Sequence, residues 1–141
     1  MLKRIPVSSK QKFDLPALMR SFKQFPNVEF AYLFGSAARG NTTALSDIDV
    51  AVYLKKNKKN ACQELMNRLP VKDYLLDLVI LNEASTLLQY EVVSGGKLIY
   101  CGKKSVWHEF VVTAQHKYFD LMPFYRFWRT TLKKQILKGA P

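Results

Sequence analysis

Two carboxylates at the start of a hydrophobic segment constrain this chain more than any other feature. The triplet Asp47-Ile48-Asp49 leads directly into the apolar run 50–54. A strand over residues 47–54 places both acids on one face, about 7 Å apart at Cα, with the isoleucine on the other face. Paired carboxylates bind divalent cations, and oxygen-only ligation favours Mg²⁺ over zinc. Because Asp-x-Asp before an apolar strand is common, the pair predicts a metal site only in combination with the two features described next.

A candidate phosphate-binding turn precedes these acids. Gly35-Ser36 closes the apolar segment Val28–Phe34, and ten residues separate it from the acidic triplet. We expect a short helix at 37–39. Backbone N–H groups at a strand-to-helix junction favour phosphate, and glycine lets the phosphate approach closely because it has no Cβ. A phosphate cradle beside a carboxylate pair indicates nucleotide chemistry.

A third acid interrupts another apolar run. Asp77 is the one charged residue within 74–81, which otherwise reads as a buried strand. Burying an acid is costly unless it is paired or bound to a metal. A hydrogen-bonded acid in the core is the alternative, and the two acids upstream favour the functional interpretation.

Together, Gly35-Ser36, the acidic triplet and Asp77 resemble the motif of the DNA polymerase β-like nucleotidyltransferase superfamily. The resemblance covers about residues 28–101. The short chain looks most like the minimal members, the MNT antitoxins of HEPN–MNT toxin–antitoxin pairs. The resemblance implies an α/β fold, in which a small mixed β-sheet flanked by helices forms the nucleotidyltransferase core and C-terminal helices follow.

The resemblance also implies catalytic roles for the acids. Asp47, Asp49 and Asp77 would be the catalytic residues and would hold two Mg²⁺ ions. Such ions stabilise the attacking and the leaving oxygens of an in-line displacement. Asp77 would also help to deprotonate the attacking hydroxyl, since it comes from a neighbouring strand rather than from the phosphate side.

The remaining motif residues would bind ATP. Gly35 and Ser36 would contact the β- and γ-phosphates, and Arg39 would add positive charge, although a structural role suits this arginine equally well. Antitoxins of this kind transfer AMP to a tyrosine of their toxin and so block its RNase activity. The expected partner is therefore a HEPN toxin, in a hetero-oligomer with this chain.

Size and composition set further bounds. A chain of 141 residues with 48% hydrophobic content can bury the core of a single domain. We expect a nucleotidyltransferase core at about 28–101 and a helical extension at about 105–138. The chain has no apolar stretch of membrane-spanning length and no signal-peptide pattern, and its two cysteines form no zinc motif. These features predict a cytoplasmic enzyme without membrane association.

The formal net charge of +11 suits an acidic protein partner, nucleic acid or a polyphosphate substrate. The lysine-rich run at 55–59 lacks interleaved aromatic residues and any RNA-binding signature, so a solvated turn explains it most simply. Nucleic acid is therefore not expected as the direct substrate.

Local patterns predict the order of the elements. A helix begins at Asp14 and is broken by Pro26, and strands and helices then alternate as far as a short closing strand. The predicted strands cover 28–34, 47–54, 74–81 and 97–101, and the predicted helices between them cover 59–68 and 83–93.

The C-terminal segment carries an unusual density of aromatic residues. Ser105 is expected to cap a helix, and Pro123 to kink it or to start a second one. Four aromatic residues and two arginines then occupy positions 124–129. Part of this segment belongs in a core, but the combination is also typical of interface hot spots, and we favour a partner-binding surface.

Alternative functions stay open at this point. The sequence is also compatible with a stoichiometric binding protein whose nucleotide site is dispensable, and with a small-molecule (antibiotic) adenylyltransferase. Its brevity weighs against the latter, and against a nucleic-acid polymerase, because no room remains for a separate acceptor domain. A basic RNA-binding module rests on charge alone and is the weakest alternative.

Overall fold

The computed structural model describes residues 14–35, 38, 48–70 and 76–139. Within them lie four β-strands and four α-helices in the order α-β-β-α-β-α-β-α, with 3₁₀ turns after the first helix and the third strand. The strands are β1 (Val28–Phe34), β2 (Ile48–Leu54), β3 (Leu76–Ile80) and β4 (Lys97–Cys101). The helices are α1 (Leu15–Ser21), α2 (Ala61–Arg68), α3 (Thr86–Gly95) and α4 (Lys104–Gly139).

The four strands form one mixed sheet in the order β3-β2-β1-β4. Strand β1 lies in the middle and pairs antiparallel with β2 and with β4. Strand β3 is an edge strand and pairs parallel with β2. The expected α/β class, a small mixed sheet flanked by helices, is confirmed.

Each face of the sheet carries its own hydrophobic core because side chains alternate along the strands. On one face, Val50 and Val52 pack with Leu18 and Phe22 from α1 and its 3₁₀ turn and with Leu65 of α2. The opposite face is covered by α3 and the first part of α4. Its core contains Phe30, Tyr32, Ala51, Leu81 and Val92, with Trp107 and Phe110 of α4 packed against them.

Several predicted boundaries are confirmed. Asp14 caps α1, where its Oδ1 accepts a 3.1 Å hydrogen bond from the backbone N–H of Ala17. Strands β1 and β4 cover the predicted ranges. The helix expected at 83–93 begins later, at Thr86, because residues 81–83 form a 3₁₀ turn and the Ser85 hydroxyl accepts a hydrogen bond from the Leu88 backbone N–H.

The C-terminal helix departs most from expectation. Residues 104–139 form one continuous helix, so Ser105 lies inside its first turn instead of capping it, and Pro123 starts no second helix. Proline in a helix interior removes one hydrogen bond and typically costs about 3 kcal/mol. The anchoring of the preceding turns to α3 and the sheet helps to carry the helix through this position. In the described part of the chain, no helix has the length and hydropathy needed to cross a membrane.

Candidate active site

Two of the predicted acids lie side by side on the sheet. Asp49 of β2 is the register partner of Asp77 of the parallel neighbour β3. Paired strands lie about 4.8 Å apart, and Asp49 alternates with Ile48 and Val50, which face the α1–α2 core. Both acids therefore belong to the face that α3 and α4 cover, at the end of the sheet where β2 and β3 begin.

Gly35 reaches this same end of the sheet. It directly follows β1, whose last residue, Phe34, is the register partner of Asp49. Its φ of +73° lies in the left-handed region, and a Cβ at this position would overlap Oδ2 of Asp49 and lie 3.2 Å from its Cγ. Glycine is thus required here for two reasons, the backbone conformation and the space for the carboxylate.

The sequence predicts that Gly35 allows the close approach of a phosphate. The structure adds a different reason, because the absent Cβ makes room for the Asp49 side chain. Gly35 and Asp49 are therefore coupled sterically, and the start of the phosphate turn is packed against a proposed metal ligand. No pattern in the sequence marks this contact, since thirteen residues separate the two positions.

The expectation that Asp77 sits in a buried strand is wrong. Its side chain is exposed, because β3 is the edge strand of the sheet and its remaining residues are only half-buried. The apolar run around Asp77 reflects packing of its neighbours on both faces, not burial of the acid. The carboxylate consequently needs no partner to offset desolvation, and it is open to molecules that approach the sheet edge.

Three further predicted residues, Asp47, Ser36 and Arg39, lie outside the described residues. Of the described site residues, the structure brings together Gly35, Asp49 and Asp77. Within the described part of the chain, no group of three or more His, Cys, Asp or Glu side chains could hold a metal ion. The donor set nevertheless fits Mg²⁺, because Asp49 and Asp77 offer adjacent carboxylate oxygens and Asp47 precedes β2 directly.

A hydrogen bond ties α4 to the central strand on the same face of the sheet. Trp107 Nε1 donates to the Tyr32 hydroxyl at 2.8 Å. Burial raises the pKa of Tyr32 above its ordinary value of 10.0, the bond from Trp107 lowers it, and the interaction with Cys101 raises it. Tyr32 thus stays neutral at physiological pH and locks the start of α4 onto β1.

The opposite end of this face holds a cavity of about 350 Å³ between the sheet, α3 and α4. Tyr53, Gln89 and Phe110 are among its lining residues. Gln89 is buried, and its Nε2 donates to the Leu81 carbonyl at 2.8 Å, while its Oε1 accepts no hydrogen bond from any residue that the structure describes. The sequence analysis did not find this buried amide, because a single glutamine on a helix carries no pattern.

Comparison with known proteins places the fold in a family. Residues 17–105 match the family model described as "Polymerase beta, Nucleotidyltransferase". A 77-residue stretch is 39% identical to the protein adenylyltransferase MntA of Shewanella oneidensis and covers 53% of this chain. The matched stretch spans 55% of that relative, about half of its length.

Solved structures extend the similarity over most of the chain. A toxin–antitoxin crystal structure with AMP-PNP has a TM-score of 0.74 at 27% identity, with coverage of 86% of this chain and 99% of the other. A complex of a tri-AMPylated Shewanella oneidensis HEPN toxin with its MNT antitoxin has a TM-score of 0.66 at 26% identity and covers 85% and 99%. Because the family model matches more than half of its length, the chain belongs to the polymerase β nucleotidyltransferase family.

Proposed function

We propose that this chain transfers AMP from ATP to a tyrosine hydroxyl of a HEPN RNase toxin and so acts as the antitoxin. The observation that carries the proposal is the pairing of Asp49 with Asp77 beside the left-handed Gly35. It is supported by the similarity to a relative named as a protein adenylyltransferase. Similar solved structures, described as toxin–antitoxin complexes, support the partner class.

The transfer is an in-line displacement at phosphorus. The tyrosine oxygen forms a bond to the α-phosphorus of ATP, the bond to the oxygen that bridges the α- and β-phosphates breaks, and pyrophosphate leaves. The hydroxyl proton passes to a carboxylate, for which Asp77 is the best placed of the described acids. Because Asp77 is exposed on the edge strand, a hydroxyl of another protein can reach it.

The acids of this chain would also hold two Mg²⁺ ions. Asp49, with Asp47 and Asp77, would provide the carboxylate oxygens. When bound, such ions supply electrostatic stabilisation of the charge that develops on the attacking and leaving oxygens. The residues fit this role through their donor chemistry, since the described site offers only oxygen ligands beside the glycine turn.

The turn after β1 would bind the nucleotide. Gly35, whose backbone is left-handed, directly precedes Ser36 in the sequence, and Arg39 follows three residues later. In this arrangement the backbone N–H groups and the serine hydroxyl would contact the β- and γ-phosphates, and the arginine would neutralise part of their charge. Because Gly35 packs on Asp49, phosphate binding and carboxylate placement would be set by the same contact.

A turnover experiment tests this function. The purified chain is mixed at a hundredth of the toxin concentration with ATP and Mg²⁺, and toxin RNase activity and intact mass are followed over time. We expect complete loss of RNase activity and a gain of one or more AMP groups on tyrosine. The Asp77→Asn variant and added EDTA should both prevent the mass change.

Stoichiometric binding predicts the opposite pattern. Inhibition would then require about equal amounts of the two proteins, and it would survive EDTA and the loss of Asp77. A small-molecule adenylyltransferase would leave the toxin unmodified in every mixture. Either result would overturn the proposed function, and only the first would retain an antitoxin role.

A further inference from the structure

The two ends of α4 differ in what lies beneath them. Near its start, Phe110 packs with Phe30 and Tyr53 at centroid distances of 5.4 and 4.9 Å, and Ala114 is fully buried. Contact with α3 continues to Tyr118, whose ring stacks on Tyr90 at 3.8 Å. Phe119 also contacts Tyr90, at a centroid distance of 5.8 Å, and beyond Phe119 the aromatic contacts among the described residues lie within α4 itself, as between Phe124 and Trp128.

The part of α4 from residue 121 to 139, named here the distal segment, exposes large apolar side chains. Trp128, Leu132 and Ile136 recur at four-residue intervals and so lie along one stripe of the helix. The distal side chains with 46–70% of their surface exposed are Phe124, Phe127, Trp128, Leu132, Ile136 and Leu137. Contiguous exposed apolar surface of this kind marks interaction sites in proteins.

The helix propensity of the distal segment also favours a partner surface that covers its apolar stripe. The fourteen residues after Tyr125 extend about 21 Å along the helix axis. The segment continues a helix that is already formed, but its Phe127, Trp128 and two consecutive threonines have modest helix propensity, and most helical stability in proteins comes from packing of an apolar face. The distal segment therefore gains stability from a surface that covers its apolar stripe.

Charge restricts what that surface can be. Residues 121–141 contain five lysines and arginines and no acid. A second copy of this chain would bring the same positive segment, and residues 1–13 contain four more basic residues and no acid. Arg129 follows Trp128 directly, so the stripe is flanked by positive charge. The complementary surface is apolar with an acidic rim.

We propose that the distal segment docks as an amphipathic helix into an acid-rimmed apolar groove of the partner protein. The identity of that partner as the HEPN toxin rests on the proposed function. In this arrangement the apolar stripe supplies affinity, and Arg129 and Lys133 supply charge complementarity. The docking site would lie apart from the carboxylates on the sheet. By tethering the toxin, it would raise the effective concentration of the acceptor tyrosine at those carboxylates.

Binding of the full chain to the purified HEPN toxin, measured by calorimetry, tests the inference. Trp128→Ala and Ile136→Ala should each raise the Kd roughly tenfold or more, and Arg129→Glu should do the same at low salt. Raising the salt concentration should weaken binding of the wild type and have a smaller effect on Arg129→Glu. ATP affinity should not change in any of these variants.

Matched controls lie elsewhere on the surface. Lys55→Glu makes the same charge change at an exposed turn, and Leu87→Ala removes an exposed apolar side chain from α3. Both should leave the Kd unchanged. Unaltered toxin affinity in the three distal variants would overturn the inference. The inference would also be overturned if these variants weakened only binding to phosphatidylglycerol vesicles, or only self-association.

The proposed function and this inference can fail separately. Tight toxin binding that depends on the distal segment, without AMP transfer, would reject the function and support the docking site. AMP transfer with an unchanged KM for the toxin in the distal variants would support the function and reject the docking site. At saturating toxin we expect these variants to keep the wild-type kcat.

Discussion

The two halves of α4 contain similar residue types and lie in opposite environments. Phe110 in the first half packs against the rings of Phe30 and Tyr53 on the sheet, whereas Phe127 in the second half is 65% exposed. The difference comes from what lies beneath the helix, because the sheet and α3 support only its first half. The aromatic side chains of one helix thus join a core where another element faces them. Where none of the described elements faces them, they form the proposed recognition surface.

This contrast separates two tasks within a small chain. Residues proposed for chemistry lie on the sheet, where backbone pairing sets their positions, and those proposed for recognition lie on an extended helix. Variants in one region should therefore change one readout and leave the other unaffected. The following predictions test that separation, from the largest expected effect to the smallest.

Asp49→Asn should reduce AMP transfer by roughly a thousandfold or more, because stabilisation by a metal ion is worth several kcal/mol in the transition state. Rates are measured with saturating toxin, and toxin affinity is measured in parallel. The affinity should match that of the wild type, because the distal segment is untouched. Transfer at the wild-type rate would remove Asp49 from the proposed metal site.

The same truncation in the two halves of α4 should have opposite consequences for stability. Phe110→Ala should lower the free energy of unfolding by about 1–3 kcal/mol, since this half-buried ring loses its contacts with Phe30 and Tyr53. Phe127→Ala should change it by no more than about 0.5 kcal/mol. Chemical denaturation followed by circular dichroism measures both, and equal losses would place Phe127 in a core.

Ser36→Ala should weaken ATP binding by about 1.5–3 kcal/mol, the contribution of one hydrogen bond to a charged group. Calorimetry with the purified chain measures the change, and Gly35→Val should reduce binding further because its side chain would displace the Asp49 carboxylate. Toxin affinity serves as the control and should stay constant. Unchanged ATP affinity in both variants would reject a triphosphate at this turn.

Tyr32→Phe should lower the free energy of unfolding by about 1–2 kcal/mol, because the part-buried indole N–H of Trp107 loses its hydrogen-bond acceptor. The raised pKa of Tyr32 means that its neutral form is favoured by folding. Its contribution should be complete below pH 10.0, the ordinary tyrosine value, and should be lost as the pH rises through the higher pKa of the folded state. Unfolding curves recorded against pH should show this loss in the wild type and not in Tyr32→Phe.

Much of the framework could be predicted from the sequence because it depends on local chemistry. A continuous apolar segment predicted β1, the side-chain period of two predicted the face of β2 that carries Asp49, and Asp14 predicted the start of α1. The motif around Gly35 identified the family that the comparison confirms. These features follow from side-chain period, helix capping and residue spacing, which any reader of the chain can count.

Tertiary structure alone decided the remaining features, because each depends on contacts between residues far apart in sequence. Asp77 is exposed since β3 lies at the sheet edge, a position that its apolar neighbours do not encode. Gly35 is required by Asp49, which reaches it only through strand pairing. The continuation of α4 past Pro123 is a property of the folded helix, whose earlier turns are held by α3 and the sheet, whereas the sequence around Pro123 favours an interruption.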